Sequence, residues 1–142
     1  MNVVILTTAG AVPQEPLGAL PDGVRVGFVT TAADGRGRPD VVVVEKQHRA
    51  RTRIADRISA MLQGGVAQRM ILRASPFDRG ARFWRAVRGD DRIRTFILDA
   101  ELLVAGDRDA NFATWQLARR ASVPAVAGYA AATKELQRRA AE

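Results

Sequence analysis

Apolar residues along this chain fall into two patterns, and the change from one to the other predicts its elements. Residues 3–8 (VVILTT), 24–31 (VRVGFVTT) and 41–44 (VVVV) are short continuous runs rich in β-branched side chains. They end at Ala9-Gly10, at Ala32-Ala33-Asp34-Gly35 and at Glu45-Lys46. Continuous runs, rather than a strict alternation, mark strands covered on both faces, as in a mostly parallel sheet. Between the first two runs, Pro13, Pro16 and Pro21 make residues 12–23 a loop or a short irregular helix.

From His48 the period becomes helical. Ile54, Ile58, Met61 and Leu62 form one apolar stripe, with Arg49, Arg51, Arg53 and Arg57 largely off it, and Gly64-Gly65 closes the helix. Residues 69–73 (RMILR) predict a fourth strand. Ser75-Pro76 predicts the start of a second helix, serine as its cap and proline in its first turn. Phe83, Trp84 and Val87 are its apolar side, and Ile93, Phe96 and Ile97 continue in a further turn after Gly89-Asp90-Asp91. Residues 101–105 (ELLVA) predict a fifth strand. Gly106-Asp107 opens a third helix with Ala110, Ala113, Leu117 and Ala118 on one face. Residues 123–126 (VPAV) predict a short last strand before a final Ala/Arg-rich helix. Strand and helix periods that alternate in this way predict an α/β fold. The expectation is a single three-layer Rossmann-like domain over residues 1–142, with a mostly parallel five- or six-stranded sheet.

Composition narrows the chemistry. A chain of 142 residues buries roughly 70% of the surface it exposes when unfolded, and a hydrophobic fraction of 47% is ordinary for a folded domain. There is no cysteine, which removes disulfides and thiolate metal sites and fits a reducing compartment. His48 is the single histidine, so a site needing two imidazoles is excluded. No metal or cofactor is expected. The N-terminus lacks the pattern of a secretory signal, and no apolar run approaches the roughly 20 residues of a transmembrane segment, so a cytoplasmic protein is expected. The net charge of +7 is carried almost wholly by arginine, Lys46 and Lys134 being the only lysines. Those arginines either fill solvated helix faces or mark a nucleic-acid, phosphate or acidic partner.

Ligands of open parallel sheets bind beyond the carboxyl ends of the strands. That rule selects Thr7, Thr8 and Gly10, then Thr30 and Thr31, then Glu45 to His48, then Gly106 to Asp109. Glu45 and His48, a carboxylate and an imidazole at a strand end, are the candidate general base and acid. Asp107 and Asp109 are candidate ligand contacts, although both also suit a helix start, where Asp107 can cap. No G-x-G-x-x-G, P-loop or G-x-S-x-G motif is present, which disfavours dinucleotide binding, P-loop chemistry and a hydrolase elbow. Arg49, Arg51, Arg53 and Arg57, with Arg79, Arg82, Arg85 and Arg88, are candidate phosphate contacts, without the interleaved aromatics of a single-strand binder.

Residues 83–129, and within them FWRAVRGDDRIRTFILDAELLVAGDRDANFATWQLARR, resemble a segment of actinobacterial glycosyltransferase-like proteins of GT-B architecture. The corresponding features are Asp99-Ala100, the run Leu103-Val104-Ala105-Gly106-Asp107, and Trp115-Gln116-Leu117-Ala118. In that family the amino-terminal Rossmann-like half chiefly shapes the acceptor site, and the carboxy-terminal half holds most of the nucleotide-sugar contacts. The resemblance therefore implies an acceptor-side half that is not catalytic alone, completed by a companion subunit or else put to another use. It places Glu45, His48, Asp107 and Asp109 along the cleft, although none matches a family catalytic motif residue by residue.

A second resemblance competes. Val44-Glu45-Lys46-Gln47 followed by a basic helix is similar to the second acidic motif of RuvC-like resolvases, where Glu45 would be a metal ligand for phosphodiester hydrolysis. Against it, the first strand has no aspartate. Strand direction separates the two: three parallel leading strands favour the Rossmann-like reading, an antiparallel meander the RNase H-like one. A basic nucleic-acid binder, a non-catalytic interaction domain and a homo-oligomer remain open alternatives.

Overall fold

In the computed structural model, residues 1–44 and 78–141 are described. The three leading apolar runs become strands β1 (Asn2–Thr7), β2 (Arg25–Thr30) and β3 (Val41–Val43). Helices α1 (Arg79–Arg88) and α2 (Asp91–Phe96) precede β4 (Leu102–Ala105). Helix α3 (Asn111–Ala121), strand β5 (Ala125–Ala127) and helix α4 (Tyr129–Ala140) complete the described chain. The strands form one sheet in the order β3-β2-β1-β4-β5, and every neighbouring pair is parallel. The fold is thus a Rossmann-like α/β arrangement. The leading three strands do not form the antiparallel meander of an RNase H-like chain.

The apolar runs are continuous because both faces of the sheet are covered. Successive strand residues point to opposite faces. Val4, Leu6, Leu103 and Ala105 pack with Phe83, Trp84, Ile93 and Leu117 on the face covered by α1, α2 and α3. Val3, Ile5, Leu102 and Val104 pack on the other face with Ala132 and Leu136 of α4. The proline-rich connection contributes there too, since Val12 and Leu17 are buried in the same cluster. It is tied down by the Val12 amide donating to Asp34 (3.0 Å) and the Thr133 hydroxyl donating to the Leu17 carbonyl (3.3 Å). Each fully buried side chain of this size contributes about 1.5–3 kcal/mol. A loop so anchored can replace a crossover helix.

Local chemistry sets two boundaries, the second of them later than the expected start at 123. The first helix after residue 77 is capped by Asp78, whose carboxylate accepts from the Gly80 and Ala81 amides at 2.8 and 3.2 Å. The last strand starts at Ala125 because Pro124 has no N–H to donate, although its carbonyl still accepts from Leu103 at 2.9 Å. The expected helix with Ile54, Ile58, Met61 and Leu62, the expected strand at 69–73 and the expected Ser75-Pro76 cap lie outside the described residues. No described helix is long and apolar enough to cross a membrane.

Helix α3 ends at Ser122, which takes φ 54 and ψ 37 and is the one described non-glycine residue with positive φ. A left-handed conformation costs an L-residue roughly 1–2 kcal/mol, and a glycine there returns part of this as unfolded-state entropy. Ser122→Gly is therefore expected to raise stability by about 0.5–1 kcal/mol in urea unfolding. A loss instead would show that the serine side chain stabilises this turn.

Candidate functional site

The chain leaves β1 toward β2 on one side and returns in β4 on the other, so the strand order reverses between β1 and β4. Connections diverge there and leave a crevice beyond the carboxyl ends. Thr8-Ala9-Gly10 follows β1 on one wall, and Gly106-Asp107-Arg108-Asp109 follows β4 on the other. The Gly106 amide donates to the Leu6 carbonyl at 2.8 Å, which carries the sheet pairing to the lip of the crevice.

Asp107 joins the two walls. Its carboxylate accepts from the Thr7 hydroxyl (2.8 Å), the Thr8 amide, the Thr8 hydroxyl (3.0 Å) and the Ala110 amide (3.0 Å). Burial alone would raise its pKa, but these donors outweigh burial and hold the carboxyl below its ordinary value. With its acceptor sites filled from both strand ends, Asp107 is a clamp that fixes the crevice.

Asp109 is in the opposite state. Burial raises its pKa, the carboxylates of Asp78 and Asp107 raise it further, and the guanidinium groups of Arg79 and Arg108 oppose them. Asp78 is committed to capping α1. A carboxyl group that holds its proton longer than usual is a better proton acceptor once ionised.

These residues border an open cleft of about 690 Å³. One side is small and close to the backbone, formed by Thr8, Ala9, Gly10, Thr31, Ala32 and Ala33. The other is charged, formed by Arg79, Asp107, Arg108 and Asp109. Small side chains let a ligand approach main-chain N–H and C=O groups, while the carboxylate and guanidinium groups offer acceptors and donors for hydroxyl or phosphate oxygens.

Of the residues selected from sequence, Thr8, Gly10, Thr31, Asp107 and Asp109 share this cleft. Thr7 and Thr30 lie beneath it and are buried. The Thr7 hydroxyl donates to Asp107 and accepts from the Ala9 amide (3.1 Å), and the Thr30 hydroxyl accepts from the Ala32 amide (3.0 Å). They shape the turns that line the cleft. Glu45, His48, Arg49, Arg51, Arg53 and Arg57 lie outside the described residues. Arg79, selected from sequence only as a candidate phosphate contact, also lines the cleft, where the packing of the α1 start against the Asp109 backbone brings it. Among the described residues no group of three or more His, Asp or Glu side chains is arranged to hold a metal ion. Comparison of the chain with protein-family models, with curated proteins and with solved structures finds no match in any of the three.

Proposed function

We propose that this chain is the acceptor-side half of a GT-B-like glycosyltransferase, holding a polyhydroxylated acceptor in the cleft between β1 and β4 while a companion chain supplies the donor side. The observation that carries this reading is the cleft at the point of strand reversal, with small residues on one wall and Asp109, Arg79 and Arg108 on the other. Sugar rings carry adjacent hydroxyls that donate to carboxylates and accept from guanidinium groups, and their compact faces fit an alanine–glycine wall. The resemblance over residues 83–129 supports the same reading, since its Leu103–Asp107 run delivers the charged wall. Asp107, saturated by four donors, positions that wall. Asp109 is the group that receives a proton from the acceptor hydroxyl as the new glycosidic bond forms and the bond to the donor's phosphate breaks.

Amide chemical-shift titration with a panel of mono- and disaccharides tests the binding step. Saturable shifts are expected at Gly10, Ala33 and Asp109, with affinities of about 1 mM for a half-site, near −4 kcal/mol. Asp109→Asn and Arg79→Ala are each expected to weaken binding about tenfold or more, as befits loss of one charge-assisted hydrogen bond. Titrations in which no sugar shifts the cleft amides would sink the proposal.

A further inference from the structure

Helix α3 turns Phe112 and Trp115 to solvent, and about half of each residue is exposed (48% and 50%). Large aromatics left half in water forgo about 1 kcal/mol each of burial energy, so their place on the surface calls for a cause. They are not isolated. Phe112 meets the buried Trp84 of α1 edge-on at 6.1 Å and Trp115 at 6.3 Å. The Arg119 guanidinium lies over Trp115 at 4.9 Å, and that of Arg120 over Trp84 at 4.8 Å. The result is a continuous aromatic patch, rooted in the core through Trp84 and edged by guanidinium groups.

Both helices of this face are basic. The sequence of α1 (RGARFWRAVR) holds Arg82, Arg85 and Arg88 besides the Arg79 of the cleft, and that of α3 (NFATWQLARRA) holds Arg119 and Arg120 at the rings, with no aspartate or glutamate within either helix. An aromatic centre with an arginine rim is the composition of protein-binding hot spots, where water exclusion around a few anchors supplies most of the affinity. We propose that the α1–α3 face is a docking surface for an acidic amphipathic segment of another protein, apolar side chains seated on Phe112 and Trp115 and carboxylates on the arginine rim. A second copy of this chain fits poorly, since a two-fold contact through this face sets arginine against arginine. Nucleic acid fits less well than an acidic peptide. The Phe112 and Trp115 rings are inclined at 38°, which gives successive bases no common stacking plane, and Arg119 already occupies one face of Trp115. The inference stands apart from the ligand of the β1–β4 cleft.

The test uses the full chain and a fluorescein-labelled acidic helical peptide with leucines at i, i+3, i+4 and i+7, read by anisotropy and by tryptophan emission. Its comparison probes are the same peptide with serine for leucine, a single-stranded oligo-dT, and the protein alone in sedimentation velocity. The leucine peptide is expected to saturate, to perturb tryptophan emission, and to bind about tenfold more tightly than the serine peptide. Trp115→Gln and Phe112→Ala should each weaken it about tenfold while the chain stays folded, the thermal midpoint falling more for Phe112→Ala because its ring packs on Trp84. Arg119→Glu, which leaves both rings in place, should weaken it as well. The proposal is overturned by equal binding of the two peptides, by affinity indifferent to all three substitutions, or by no binding. Tighter binding of oligo-dT, or self-association, lost in the same variants would likewise overturn it and assign the face to nucleic acid or to a second copy.

Discussion

Replacing Asp107 with alanine is expected to remove about 2–4 kcal/mol of folding stability, a large share of the 5–15 kcal/mol typical of a domain. The carboxylate accepts from two hydroxyls and two amides drawn from both sides of the strand reversal. Thr7 is 1% exposed, so its hydroxyl has no water to turn to. Among the described residues no buried polar side-chain atom lacks a partner, and Asp107→Ala would leave the Thr7 hydroxyl accepting from the Ala9 amide but deprived of the carboxylate it donates to. An unsatisfied buried donor costs about 1–3 kcal/mol, and loss of the cap on Ala110 adds about 1 kcal/mol. Asp107→Asn keeps one acceptor oxygen but turns an NH2 toward donors, and should lie between wild type and alanine. Urea unfolding measures the series; an alanine variant within 1 kcal/mol of wild type, on the order of the cap alone, would show that the clamp carries no strain-free advantage over water.

The same carboxylate sets an acid limit. Folding lowers its pKa, so its contribution is fully present above the unfolded carboxylate value of about 3.9 and is lost as pH falls from there through the folded value. Asp109 acts in the opposite sense, because its pKa rises on folding and protonation relieves its burial. Acidification from neutral pH should therefore first ease the cost at Asp109 and only then withdraw the stability held by Asp107. Stability measured against pH in Asp107→Asn should lack the second, more acidic loss and keep a smaller first effect, since burial and Asp78 still raise the Asp109 pKa without the Asp107 charge.

How much of this was legible in the sequence follows from the range of each interaction. The strands were legible because burial on both faces leaves an unbroken apolar run, as in VVILT of β1. Phe83, Trp84 and Val87 announced the buried side of α1 by helical spacing, and Asp107 announced itself as a cap after Gly106. What spacing could not show is that the Asp107 carboxylate also receives Thr7 and Thr8, about a hundred residues away along the chain. The cap of α1 was not legible by residue type: Asp78 holds the first-turn amides, and aspartate caps as well as serine does. Trp115 was hidden for a different reason. Within Trp-Gln-Leu-Ala it reads as packing, and Leu117 and Ala118 do pack, but the turn of the helix carries Trp115 outward.

Gly80 links stability to the cleft, and its replacement gives the second large effect. A Cβ at this position would stand 2.9 Å from the Asp109 carbonyl oxygen and 3.0 Å from the Asp78 cap carboxylate. The first contact is with backbone, which cannot rotate aside as a long side chain can. In an ordinary helix, alanine for glycine gains up to about 1 kcal/mol in propensity. Here overpacking of about 1–3 kcal/mol opposes that gain, so Gly80→Ala should be neutral to destabilising, and Gly80→Val should lose about 3 kcal/mol. The displacement also shifts Arg79 relative to Asp109, two charged groups that share the charged wall of the cleft. Saccharide binding should accordingly weaken in Gly80→Ala by about tenfold even where the fold persists, since misplacing one of two converging groups costs on the order of 1.4 kcal/mol. A Gly80→Ala variant that is more stable than wild type and binds as well would mean that α1 does not rest on the Asp109 turn, and the charged wall of the cleft would lose its geometric basis.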